Sequence, residues 1–104
     1  MSIKLALLKS GETVVSDAKE LISDDKVCGY LFTKPHVVDL RKAVLLVEEN
    51  SSSKGGDLEI VLSPWIVLTS DTQIPVSPDW IVTIVEPIAE IKKIYEEKVN
   101  AKVD

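Results

Sequence analysis

The chain reads as a mainly β domain followed by one C-terminal amphipathic helix, and three observations carry that expectation. Short runs of Val, Ile and Leu alternate with turn residues from Ile3 to Val85, the spacing of short strands. Hydrophobic residues make up 45% of the chain and aromatics only 5%, so the core must come from branched aliphatic side chains, which suit a pleated surface. After Pro87 the apolar spacing lengthens from that of a strand to that of a helix. Together these describe a small, strongly bent barrel or roll with a terminal helix.

Taken in order, residues 3–8 form an apolar run that stops at Lys9-Ser10-Gly11-Glu12, where Gly11 can supply the positive φ of a tight turn. Residues 13–22 place the small side chains of Ser16 and Ala18 beside Val14 on one face, which permits sharp bending. Ser23-Asp24-Asp25-Lys26 is a polar turn, and residues 27–33 resume with Cys28, Tyr30 and Phe32 on a common face. Pro35 interrupts that strand, which is expected to kink there and continue through Val37-Val38.

Residues 44–49 form a fourth run, and 50–57, with three serines and Gly55-Gly56, read as a flexible loop. Residues 58–62 pair back, Pro64 breaks the ladder beside Trp65, and 65–68 carry the chain onward. Residues 73–76 and 80–85 are two further short strands separated by Ser77-Pro78-Asp79. Pro87 fits the first helical position, where its missing N–H costs nothing. Ile88, Ile91, Ile94, Tyr95 and Val99 then line one helical face to about residue 100, opposite Lys92, Lys93, Glu96 and Glu97.

With 104 residues the chain suits a single domain spanning 1–104, with the barrel in about 1–85 and the helix in about 87–100. A net charge of −5 disfavours a general nucleic-acid coat or an anionic membrane as partner. One cysteine excludes an internal disulfide, and Met1-Ser2-Ile3-Lys4 lacks the layout of a secretion signal, so a cytoplasmic location is expected. The apolar runs are far shorter than the roughly 20 residues that cross a bilayer, so no membrane partner is expected.

No constellation for catalysis, metal or cofactor binding emerges. His36, the single histidine, would need Cys28, Asp39 or Glu48 at spacings that fit no zinc pattern, and we read it as structural or solvent-facing. Cys28 has only His36 as a possible base, across a proline, and is read as a buried strand cysteine. Asp24-Asp25 and Glu48-Glu49 are adjacent residues whose side chains on a strand would face opposite ways, and are read as solvated charge. Gly55-Gly56 lacks the lysine and hydroxyl of a phosphate loop. Lys26, Lys34 and Arg41 remain as contacts to nucleic acid, should a ring of subunits bring one cation from each copy to a pore. Trp65 and Trp80, like Ile91 and Tyr95 of the helix, are read as anchors of the core or of a subunit interface.

Leu8-Lys9-Ser10-Gly11-Glu12-Thr13-Val14, then Gly29-Tyr30-Leu31 with Lys34-Pro35, Leu62-Ser63-Pro64-Trp65, and Glu86-Pro87 followed by Glu90-Ile91 and Tyr95 occur in an order that resembles small Sm-like (LSm/Hfq-like) proteins of T4-like and marine cyanobacterial phages. The resemblance covers most of the chain and implies a strongly bent, five-stranded SH3-like barrel. It also implies edge strands that pair between subunits into a cyclic homo-oligomer of five to seven copies, located in the host cytoplasm if the chain is phage-encoded. Such rings bind uridine-rich single-stranded RNA through an aspartate, an asparagine and an arginine-glycine pair. Here Ser16 stands where a glycine is usual, no asparagine follows Asp24-Asp25, Arg41 has no glycine after it, and the helix comes last instead of first. The expectation is therefore a non-enzymatic ring acting as scaffold or adaptor, with a protein partner or a role in RNA metabolism. The alternative is a ring that itself binds single-stranded RNA.

Overall fold

The computed structural model describes residues 2–42 and 58–100. The run expected at 44–49, the loop at 50–57 and the tail at 101–104 lie outside the described residues. Six strands form one antiparallel sheet: β1 (Ile3–Leu8), β2 (Thr13–Ser23), β3 (Lys26–Lys42), β4 (Leu58–Pro64), β5 (Gln73–Val76) and β6 (Ile81–Val85). A 3-10 turn at Pro78–Trp80 leads into β6, and helix α1 (Ala89–Asn100) follows. The sheet order is β4-β3-β2-β1-β6, with β5 also on β3. The chain is thus mainly β with a terminal helix; the described residues form six strands, in a sheet that does not close among them. Among the described residues, β4 and β6 end the order unpaired with one another.

Local chemistry sets the corners. Gly11 takes a φ of 95° at the β1–β2 turn and donates its N–H to Leu8 O at 2.9 Å. Between β2 and β3, Asp24 and Asp25 both take positive φ, 55° and 64°, as a two-residue hairpin turn requires and as aspartate tolerates. The decisive corner is inside β3. Between the pairs Val15↔His36 and Asp17↔Thr33, Lys34 and Pro35 together oppose Ser16, so β3 carries an extra residue. Such a bulge bends its strand and increases the twist. Lys34 has a φ of 52°, a left-handed backbone that costs a non-glycine residue about 1–2 kcal/mol.

The bend divides β3 between two partners on one edge. Its first half pairs with β5, from Tyr30↔Val76 to Thr33↔Gln73, and its second half with β4, from His36↔Pro64 to Lys42↔Leu58. On one face of the folded sheet, Ala6, Leu8, Val14, Phe32 and Val76 are buried, joined by Ile74, Ile81 and Ile84 from the last strands. On the other face Ile3, Val15 and Leu62 pack beneath Ile91, Tyr95 and Val99 of α1. Both faces are therefore covered, one by the sheet's own return and the other by the helix. This explains why the strands read as near-continuous apolar runs instead of a clean alternation.

Several expectations are corrected. Cys28 is exposed, because β5 reaches only to Tyr30 and an extra residue between the pairs Leu21↔Gly29 and Ile22↔Val27 shifts the end of the hairpin out of register. Residues 65–68, which carry the chain onward from β4, do so as a turn, with Val67 and Leu68 70% and 94% exposed. The helix begins at Ala89, not Pro87, with Ile88 O accepting the N–H groups of Ile91 and Lys92. Pro87 is buried ahead of it, and Ile88, expected on the apolar stripe, is exposed. Trp80, read as an anchor of the core or of a subunit interface, lies outside the core of the single chain and closes the 3-10 turn with 45% of its surface open, which leaves the interface reading.

Candidate functional site

The bulge leaves backbone groups without ladder partners, and a side chain from the far end of the chain supplies them. Tyr95 Oη donates to Thr33 O at 2.8 Å and accepts the N–H of Asp17 at 3.1 Å. Ser16 Oγ, fully buried opposite the bulge, donates to the same Thr33 carbonyl at 2.9 Å. Burial pushes the Tyr95 phenol above its ordinary value, against the Asp17 N–H, which favours the ionised form. His36 stands edge-on to Tyr95 with ring centroids 5.9 Å apart, and its Nδ1 lies 2.9 Å from Lys34 O. A carbonyl only accepts, so Nδ1 carries the proton and Nε2 is the free acceptor. Burial holds this imidazole below its ordinary 6.5, the Lys34 carbonyl opposes that shift, and the Lys98 ammonium adds to it.

The bulge also anchors the chain around Trp65. The Trp65 N–H donates to Pro35 O at 3.1 Å and the Lys34 N–H to Thr72 O at 2.6 Å, so both ends of segment 65–72 are tied to β3. The Trp65 indole is half-buried against Phe32, with centroids 6.3 Å apart, and its Nε1–H donates to Glu12 Oε1 at 3.2 Å. Ser10 Oγ donates to the same carboxylate oxygen at 3.1 Å. The β1–β2 turn, the bulge and the end of β4 thus meet at one corner. Around it a cavity of about 240 Å³ opens between segment 65–72, the bulge and the C-terminal turn of α1. A second, larger cavity of about 660 Å³ lies between β2, Tyr30 and Ile84.

Of the residues singled out in the sequence, Ile91 and Tyr95 are buried under α1, Trp65 is half-buried at the corner, and Trp80 faces outward. Lys26 is at the hairpin tip, Lys34 at the bulge and Arg41 near the end of β3, opposite Glu59. Eight and seven residues separate them along one strand, on the order of 25 Å each at about 3.3 Å per residue, so one chain does not gather them. Asp24 and Asp25 occupy a turn, and Cys28 lies away from His36 on the far side of the bulge. No group of three His, Cys, Asp or Glu among the described residues is placed to hold a metal ion. None of the described helices is long and apolar enough to cross a membrane.

The open edges are the other surface feature. β6 is Ile81-Val82-Thr83-Ile84-Val85, without a charge, a proline or a glycine, and among the described residues it pairs only with β1. Val82 and Val85 are 58% and 48% exposed on it. At the opposite end of the order, β4 pairs only with β3 among the described residues and carries a single charge, Glu59. Neither the bulge network nor the uncovered edge was legible as a site. A proline within an apolar run opposite a serine, and one tyrosine in an isoleucine stripe, were the available signals.

A family model matches residues 1–100, nearly the whole chain, and it describes a family of unknown function, DUF6561. The chain belongs to this family. No curated protein matches the chain. The match spans all six strands and the helix through Asn100.

Proposed function

We propose that the chain is a non-catalytic, self-assembling protein of Sm-like kind that acts in the cytoplasm as a ring-shaped scaffold or adaptor. The observation that carries this is the β6 edge: an uncharged strand with exposed valines, one of which, Val82, is an extra residue between the pairs Leu7↔Thr83 and Leu8↔Ile81, at one end of a sheet whose other end, β4, is likewise open among the described residues. Isolated proteins blunt such edges with charge, proline and bulges, because an open ladder is a template for pairing, and β6 has neither charge nor proline beside its one irregularity. β4 and β6 are different strands at opposite ends of the order, so pairing one copy's β6 with the next copy's β4 is head-to-tail, and a suitable rotation closes it into a ring. A sharply bent meander whose last strand returns to β1 after a 3-10 turn is in keeping with an SH3-like, Sm-like barrel completed in this way.

Size-exclusion chromatography with light scattering is the test. A species of five to seven copies is expected at micromolar concentration, and Val82→Lys, which puts a charge on an exposed edge position, should shift it toward monomer while leaving the circular dichroism spectrum of the fold. A wild-type monomer at that concentration overturns the ring. The alternative, a ring that binds single-stranded RNA, draws support from the Sm-like resemblance. It is disfavoured by the net charge of −5 and by the spread of Lys26, Lys34 and Arg41 along β3. Uridine-rich and random single strands should show no saturable binding at low salt. Saturable, salt-sensitive binding lost in Lys26→Gln/Lys34→Gln would replace the adaptor reading with the RNA-binding one.

A further inference from the structure

We propose that the cavity beside the β3 bulge is a binding site for a small organic anion with a flat ring, its charge held by Lys34 and Lys98 and its ring by Trp65, Ile74 and Val99. The cavity of about 240 Å³ combines an apolar wall with converging polar groups on three separate elements, the composition of small-molecule sites. Its size lies below the roughly 300 Å³ at which drug-sized pockets begin, so the occupant is a single-ring compound.

Charge selects an anion. Lys34 and Lys98 both line the cavity, with Asp71 as the one carboxylate among its described lining residues, in a protein whose net charge is −5. The ion pairs among the described residues are those of Glu86 with Lys4 and Lys92, so both cavity lysines are unpaired there. Two ammonium groups at one mouth repel each other unless an anion bridges them.

The wall is also held in advance of any ligand. Segment 65–72 is tied to the bulge at both ends by the Trp65 N–H to Pro35 O and the Lys34 N–H to Thr72 O bonds, and inside it Thr69 Oγ1 accepts the Asp71 N–H at 3.0 Å. Preorganisation of this kind removes an ordering cost that a ligand would otherwise meet. Lys34 itself occupies a left-handed backbone position, φ 52°, where glycine would be unstrained. Strained non-glycine residues concentrate at ligand sites, and here the strained residue is one of the two cavity lysines.

The strain separates fold from function in the test. Phenyl phosphate, benzoate, inorganic phosphate and phenol are titrated into the full chain, with the indole N–H resonance of Trp65 followed by NMR and that of the exposed Trp80 as internal control. Phenyl phosphate or benzoate should move the Trp65 resonance saturably and leave Trp80 in place. Phenol, a ring without charge, and inorganic phosphate, a charge without a ring, should each bind at least about tenfold more weakly. The phosphate and carboxylate arms show which head group the lysines prefer. Lys34→Gly should abolish the response with a melting temperature at or above that of the parent, and Lys98→Gln should weaken it. No saturable movement of Trp65 with either ring anion overturns the proposal, as does equal binding of phenol or an undiminished response in Lys34→Gly/Lys98→Gln.

Discussion

Tyr95 closes the hydrogen-bond account of the bulge by itself on the helix side, since its hydroxyl both donates to Thr33 O and accepts from Asp17 N–H. Tyr95→Phe keeps the ring and removes both bonds, leaving the Asp17 N–H without a partner in a partly buried place. A loss of roughly 1–3 kcal/mol in urea unfolding is expected, with the helix retained. His36 sets a pH dependence. Its folded value lies below 6.5, so the unfolded chain binds the proton more readily, and the stability contributed by the neutral imidazole is complete above 6.5 and falls as the pH drops from there toward the folded value. Unfolding midpoints measured from pH 8 down to pH 5 should fall across this window in the wild type and fall less in His36→Asn. Glu86, depressed by its hydrogen bond and charge contact with Lys4, acts in a lower window, as the pH falls below its ordinary 4.5, so the two are separable.

At the scale of elements, β3 shows best how much was legible. The hydrophobic runs on both sides of Pro35 and the expectation of a kink there came from residue types alone, because proline fixes φ and removes a ladder donor. That the strand runs unbroken for 17 residues, and that the bend is a bulge facing Ser16, depended on its pairing with β2. Cys28 went the other way for a related reason. Alternation placed it with Tyr30 and Phe32, but one extra residue in the ladder and the absence of β5 beyond Tyr30 left it in solvent. Trp65 and Trp80 are equal as sequence signals, yet one is held by Glu12 and Phe32 while the other ends an exposed turn. Of the four residues read as core or interface, the two on the helix were placed by periodicity, which is local; the two tryptophans were not.

For the whole molecule the helix is the second half of the sheet's cover. It seats Ile91, Tyr95 and Val99 on Ile3, Val15 and Leu62, residues from three strands far apart in the chain. Ending the chain after Glu86 uncovers these side chains and leaves the bulge unsatisfied. At about 25 cal/mol per Å² of apolar surface, the loss rivals the few kcal/mol of net stability a small domain holds. The truncated chain should therefore lack a cooperative urea transition and should bind a hydrophobic dye; a cooperative transition near that of the full chain would show that the sheet stands alone. The β4 and β6 edges, open among the described residues, belong to the same scale, since assembly would bury what one copy cannot.

Sequence by itself determined the local units of this protein: aliphatic strands between Gly, Asp and Pro corners, an amphipathic helix after Pro87, and an acidic surface. These follow from backbone preference and periodicity, which act over a few residues. Only the tertiary structure decided which strands are neighbours, that β4 and β5 share the edge of β3, and that Tyr95 meets Thr33 across 62 positions. It also decided that Lys34, His36, Trp65 and Lys98 surround one cavity. The physical reason is that ladder register and side-chain burial are properties of pairs of segments, and a single bulge reassigns every residue beyond it to a new partner.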